Sequence, residues 1–255
     1  MSVSATVVRL IRYPVKGLSP DVLEQCRLEP DQGLPEDRRF AIVHGASTFD
    51  PAHPEWKPKT NFLMLARHER LATLETRYDP ASLTLTVLRQ GRSVAQGRLD
   101  EPAGRAVIEQ FLAAYMEGAM PGLPRIVEAP GHMFSDAPEK FVSLLNLASV
   151  AAVERLAQKP LDPLRFRANL LLEDMPAWGE MTWIGHRLRL GSCRLEVMRG
   201  ITRCPATSVD PRTGVRDMNL PQILQQQLGH TFCGVYARVL DGGEIAPGMT
   251  VSREG

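Results

Sequence analysis

The sequence predicts a mainly β, α+β protein, with an N-terminal β-barrel-like domain followed by a mixed β-barrel domain that carries few helices. Three observations point there. The apolar runs are short and rich in β-branched residues. Only three stretches place apolar residues at helical spacing. The chain is punctuated by 20 glycines and 20 prolines, which suit turns between many short strands.

In chain order, Thr6–Tyr13 alternates loosely and reads as a strand, and Arg39–His44 is a short apolar run. Leu71–Tyr78 and Leu83–Leu88 are β-rich, and the turn Asp79-Pro-Ala-Ser82 between them makes a hairpin. Pro102–Met116 follows as a helix, with Val107, Ile108, Phe111, Leu112 and Tyr115 on one side. The Pro/Gly-rich stretches at 121–124 and 129–132 mark a boundary, giving domains 1–125 and 126–255. Beyond it, Ser149 is expected to cap a helix over Val150–Gln158. Strands are expected at Asn169–Glu173, Leu188–Leu190 and Arg194–Met198, a short helix at Pro221–Leu228, and final strands at Gly234–Leu240 and Met249–Ser252.

Charge and composition narrow the function. Formal net charge is +1, so no global field recruits nucleic acid or an anionic membrane, and neither is expected as a partner. No segment approaches the ~20 apolar residues of a membrane helix. The first residues read as a strand rather than a signal peptide. The cysteines, Cys26, Cys193, Cys204 and Cys233, form no Cys-x-x-Cys pair and are too few for a disulfide framework. A cytoplasmic protein with reduced thiols is expected. The histidines show no paired metal spacing, and there is no Gly-x-Ser-x-Gly, Walker A or dinucleotide fingerprint.

Cys204 is the strongest chemical candidate. An isolated loop cysteine is most simply an inert, buried thiol, but Arg203 beside it favours the thiolate and Pro205 stiffens the loop. A thiolate is both a nucleophile and a ligand for soft metals. Asp210-Pro-Arg-Thr-Gly214 further on reads as a turn, with Asp210 bonding the backbone rather than acting as an acid or base. If Arg165–Asn169 is extended, then Arg165, Arg167 and Asn169 share one face and form a recognition surface for planar or phosphate groups. Lys16 sits in a turn before Gly17, where backbone amides and an ammonium approach an anion together. Arg38 and Arg39 precede a strand nearby.

Taken in order, Tyr13-Pro-Val-Lys-Gly17, Asp37-Arg-Arg-Phe40, Ala148-Ser149, Arg165-Phe-Arg-Ala-Asn169, the run from Arg203-Cys204 to Gly214, and the closing Gly234-x-Tyr236 and Gly243-x-Ile245 resemble the MOSC family of molybdenum-cofactor proteins. The likeness spans nearly the whole chain: a MOSC N-terminal β-barrel-type domain, then the MOSC domain. It implies a pyranopterin cofactor, molybdopterin carrying Mo, with Cys204 as catalytic metal ligand. Lys16 and Arg38 would hold its phosphate, and Ser149, Arg167, Asn169, Thr202 and Arg203 would lie around the pterin. Gly17 replaces a common Ser, Asn146 stands where Ser or Thr is usual, Thr202 stands where Ser is common, and Met249 replaces a frequent acidic residue. None of these touches the metal ligand.

The resemblance extends to the amidoxime-reducing component. It implies an oxidoreductase that reduces small N-hydroxylated compounds (hydroxylamines, amidoximes, hydroxylated bases). With no ferredoxin-like cysteine cluster and no flavin or nicotinamide fingerprint, electrons are expected from a separate ferredoxin- or cytochrome-type protein and its reductase. Two alternatives stay open. One is a sulfur carrier with a persulfide on Cys204; the other is a module that binds or stores the molybdenum cofactor without turnover.

Overall fold

The computed structural model describes residues 4–254. Its centre is a closed barrel of seven strands. In order around it run β1 (Ser4–Arg12), β10 (Leu170–Glu173), β9 (Val142–Asn146), β13 (Phe232–Asp241), β12 (Cys193–Thr202), β11 (Arg187–Leu190) and β15 (Thr250–Arg253), with β15 pairing back onto β1. Strand β2 (Asp21–Leu23) adds to the far end of β1. Closure removes the exposed sheet edges. The β9–β10 pair is parallel and the other pairs of the ring are antiparallel. A parallel pair needs a crossover, and α2 (Leu147–Ala157) supplies it.

Alternation fills the barrel. Leu188 and Leu190 of β11, Leu195 and Val197 of β12, and Val142 and Leu144 of β9 all point into one core. Strand β1 shows why the sequence pattern was only loosely alternating. Ala5 and Val7 face inward, but the ladder to β10 slips between Val7 and Arg9. The bulge turns Leu10 into the core and leaves Arg9 exposed, where strict alternation would bury a guanidinium. Beyond the bulge, β1 is buried on both faces. Its outer side, at Ile11, meets Val150 and Val153 of α2 and Leu220 and Leu224 of α3 (Leu220–Leu228).

Helix α2 begins earlier than its expected start. Asn146 is the N-cap, its Oδ1 accepting the Ala148 N–H at 2.9 Å. Ser149 therefore does not cap; it lies in the first turn, fully buried.

The N-terminal segment contributes smaller sheets. Strand β4 (Phe40–Val43) pairs with β8 (Arg125–Glu128), and β5 (Glu75–Asp79), β6 (Thr84–Arg89) and β7 (Arg92–Arg98) form a meander. The run expected as a strand from Leu71 starts instead with a 3-10 turn over Glu69–Thr73. The two halves interleave: β1 is part of the C-terminal barrel, β3 (Cys26–Leu28) pairs with β14 (Gly243–Ile245), and the 125/126 boundary falls inside β8. Helix α1 (Pro102–Tyr115) lies across β7 and buries Ile108 and Leu112. The contact is backbone on backbone. A Cβ on Gly97 would stand 2.1 Å from the Gly104 carbonyl oxygen, and one on Gly104 would stand 2.2 Å from that of Arg98.

Gly104→Ala should therefore push α1 off the meander and cost about 1–3 kcal/mol, as overpacking does. A urea melt in which this variant matches the parent would contradict the close approach.

Candidate functional site

At one end of the barrel a cleft of about 140 Å³ opens to solvent, between the barrel and the N-terminal sheets. Its walls carry Lys16, Arg38, Lys59, Arg165, Arg167 and Arg203 against, among the described residues, a single carboxylate, Asp136. Cys204, Asn169 and Thr202 also line it. Of the metal and cofactor residues that the resemblance implies, only Ser149 lies elsewhere. Its hydroxyl donates to Glu180 at 2.8 Å and accepts the Trp178 N–H at 2.7 Å, behind the barrel wall.

Cys204 follows β12 and occupies the capping position of a 3-10 turn, Pro205–Ser208, with Pro205 in its first position. It is a half-buried free thiol. Its carbonyl accepts the Thr207 N–H and hydroxyl, which fixes the turn. The loop beyond is anchored as its turn chemistry predicts. Asp210 Oδ1 accepts the N–H groups of Arg212 and Thr213, and Gly214 takes a φ of +70°. Asp210 and Asp217 both pair with buried Arg165, binding the loop to the turn that carries Arg167.

That second turn differs from expectation. Residues Pro163–Phe166 form a 3-10 turn and Arg167 is left-handed, with φ of +52°. The two arginines are not neighbours on one strand face. Arg165 turns to the acidic pair, and Arg167 turns to the cleft.

Arg167 Nη1 donates to the Leu18 carbonyl at 2.9 Å, and its guanidinium lies 4.0 Å from the Tyr13 ring centroid. Its Nη2 is buried without a partner. Burial, with Arg38 alongside, pushes its pKa down to about 10. Arg203 donates to the carbonyls of Cys233 at 2.7 Å and Phe166 at 2.8 Å, and its Nη2 also lacks a partner. Burial lowers its pKa too. Neither has an ion pair among the described residues. Arg38 is the contrast. Burial works against its charge, but paired Asp37 carries its pKa above the ordinary value. Its Nη2 donates to the Arg167 carbonyl at 2.8 Å.

Lys16 is committed inside the protein. Its ammonium donates to the Phe134 carbonyl at 2.9 Å and to Asp136 at 2.6 Å, and burial lowers its pKa despite that carboxylate. Lys59 Nζ lies 3.2 Å from the other Asp136 oxygen. Burial works against the Asp136 charge, yet the two ammoniums hold its pKa well below the carboxylate range. Solvent still reaches it through the cleft mouth, where 45% of its side chain is exposed. Asn169 is used up structurally: Oδ1 accepts the Ser143 N–H and hydroxyl, and Nδ2 donates to Ile11 O at 3.0 Å. Thr202 is exposed at the mouth.

The sequence neighbour is not the cation that stands near the thiol. Arg203 points into the barrel end, whereas Lys59, from a 3-10 turn over Lys59–Asn61, sits beside Cys204. Burial disfavours the Lys59 charge, but Asp136 and then Cys204 hold its pKa above the ordinary value. Lys59 and Asp136 lie in segments without a recognisable motif, so nothing local marked them. Tyr13 and Tyr236 stood within motifs already noted, as ring positions whose role only the fold reveals.

Two buried guanidiniums without carboxylates fit an anion, since the charges are otherwise uncompensated. A half-buried thiol adds one soft ligand. Among the described residues no group of three or more His, Cys, Asp or Glu is placed to hold a metal. A metal at Cys204 must therefore arrive with its other ligands. Nor is any described helix long and apolar enough to cross a membrane.

Comparisons with known proteins identify the domains of the chain. A family model described as the MOSC domain matches residues 131–252, and one described as the MOSC N-terminal beta barrel domain matches residues 4–120. The molybdenum cofactor sulfurase of Caenorhabditis elegans is 26% identical over 98% of this chain and 36% of its own length. Mitochondrial amidoxime-reducing component 1 of Mus musculus is 24% identical over 85% of this chain and 69% of its own. The chain spans about a third of the length of the sulfurases it matches. Among solved structures, the YuaD protein from Bacillus subtilis aligns over 100% of this chain and 99% of its own, at 11% identity and a TM-score of 0.46.

Asp136→Asn takes the compensating carboxylate from the Lys16 ammonium. The expected loss near neutral pH is about 1–2 kcal/mol, less than for a fully buried pair because solvent screens Asp136. The Asp136 pKa is depressed in the folded state, so its contribution is complete above the unfolded value of about 3.9 and fades as pH falls towards the folded one. Denaturant melts should show the gap between parent and variant closing in acid. A gap that widens there would contradict the pairing.

Proposed function

The chain belongs to the MOSC family, and from that premise we propose that it is a molybdenum-cofactor oxidoreductase that reduces N-hydroxylated compounds, including hydroxylamines, amidoximes and N-hydroxylated bases. One observation carries the reading. A half-buried thiol faces the same cleft as two buried guanidiniums that lack carboxylates.

The bound cofactor would supply the two-electron chemistry, RNHOH + 2 e⁻ + 2 H⁺ → RNH₂ + H₂O. The protein supplies position and field. Cys204 would complete the metal's sulfur ligation, held by the turn that Pro205 starts and Thr207 braces. Arg167 and Arg203 would hold the anionic portion, joined by Arg38, whose charge is already shared with Asp37. Lys16 would act more weakly than its motif implies, because Asp136 and the Phe134 carbonyl already engage it. Asn169 would shape the wall through its bonds to Ser143 and Ile11, and Thr202 would stand at the mouth. Met64 and Leu65 add apolar wall that limits water. Asp210 is engaged in its turn, so we assign it no proton transfer. Electrons would come from a separate ferredoxin- or cytochrome-type protein with its reductase. The free thiols suit a cytoplasmic setting.

A second reading has its own support. The molybdenum cofactor sulfurase named above aligns over 98% of this chain, and a half-buried thiol suits a persulfide carrier.

The test is the protein purified from a molybdenum-replete host, beside Cys204→Ala. We expect metal and pterin near one per chain and hydroxylamine reduction with an artificial electron donor that the variant loses by at least about 10²-fold. A labile sulfur on Cys204 without molybdenum would favour the carrier. Metal without turnover on any N-hydroxylated compound would leave a storage module.

A further inference from the structure

The cleft divides into two regions of different chemistry. Its inner part holds buried Arg203 with the partly buried Arg38 and Arg167, all bonded largely to backbone carbonyls. Its outer part, around Cys204, combines apolar wall from Met64, Leu65 and Ala206 with the partly exposed Lys59, 32% of whose side chain meets solvent. Among the described residues Asp136 is the one carboxylate of the lining, and Lys16 and Lys59 share it, on opposite oxygens. Two ammoniums on one carboxylate leave a net positive charge. Lys16 is buried, with its ammonium already on Asp136 and the Phe134 carbonyl. The excess is therefore presented by Lys59, beside the thiol and within reach of solvent. Nothing in the inner region needs it there, and no motif residue supplies it.

We propose that Lys59 selects the charge of the substrate: the site takes N-hydroxylated compounds that carry a carboxylate or phosphate on an otherwise apolar body, and disfavours cationic ones. The inference rests on the reductase reading for its chemistry, while the charge preference belongs to the cleft itself. A compound with its N–OH group at Cys204 lays its body along the Met64–Leu65 wall, and its anionic end meets the Lys59 ammonium. A cation in the same place meets a like charge in a cleft whose only carboxylate among the described residues is taken, which is how a site rejects a competitor. The reaction is balanced as R–C(=NOH)NH₂ + 2 e⁻ + 2 H⁺ → R–C(=NH)NH₂ + H₂O, with a reduced viologen dye supplying the electrons.

The test uses the cofactor-loaded protein and three rings: benzamidoxime, the same ring with a para-carboxylate, and with a para-trimethylammonium. Binding by calorimetry and kcat/KM are both measured. The carboxylate should be preferred over the ammonium by about tenfold at low salt, the preference shrinking as salt screens it. Lys59→Arg should keep the preference, Lys59→Met should bring the ratio near one, and Lys59→Glu should invert it. A merely structural Lys59 would lower all three compounds together and leave their ratio unchanged, which would overturn the proposal. Equal affinities in the parent protein would overturn it as well, with or without turnover. A retained binding preference without turnover of any ring would support the charge selection and sink the reductase reading alone.

Discussion

Two guanidiniums buried without a carboxylate set the terms for the rest of the site. Taking a charge out of water costs several kcal/mol even after relaxation, and a paired carboxylate is the ordinary remedy. The fold applies that remedy to Arg38 through Asp37 and to Arg165 through Asp210 and Asp217. It withholds it from Arg167 and Arg203, which rest on carbonyl oxygens and each keep one buried nitrogen without a partner. An anion entering the cleft would find donors already oriented and little order left to impose. The same two residues are held by backbone rather than by flexible side chains, so their geometry follows that of the barrel end.

The barrel end is shaped to permit this. Arg167 reaches the cleft because a 3-10 turn ends in a left-handed residue just before β10, and Asn169 ties that strand to β9 and β1. Arg203 fits because Gly234, with φ of +77°, lets β13 run close. A Cβ there would stand 2.6 Å from the Leu144 carbonyl oxygen and 3.0 Å from Arg203 Nη2. The β1 bulge has a related effect. It sends Leu10 into the core and carries Tyr13 round to the ring position between Arg38 and Arg167. Cys204 is set at the mouth by its own turn, so thiol and anion donors are positioned by different elements that meet only through the closed sheet.

Much of this was legible beforehand, for physical reasons that differ by residue. Cys204, Arg167 and Arg203 stand in motifs that resemble those of the MOSC family, and it is that resemblance, not spacing, that groups them around one site. The barrel class follows from short apolar runs and frequent turn residues. Other features depend on distant partners. Asn146 and Ser149 compete to cap α2, and the choice goes to Asn146 because Ser149 finds Glu180 and Trp178 inside the wall. The extended reading of Arg165–Asn169 failed because Asp210 and Asp217, more than 40 residues on, draw Arg165 the other way. Lys59 and Asp136 come from unremarkable loops and meet Cys204 only in the folded chain. Strand β1 joins a barrel otherwise built from the last half of the sequence, a pairing that period-two patterns do not encode.

The most direct measurement of the central claim is the melting temperature of cofactor-free protein titrated with inorganic pyrophosphate at constant ionic strength. Binding to the folded state alone raises stability with ligand concentration. A rise in the parent protein that disappears in the Arg167→Met, Arg203→Met double variant is the predicted result. No rise in the parent, or an equal rise in both proteins, would contradict an anion site built on those two guanidiniums.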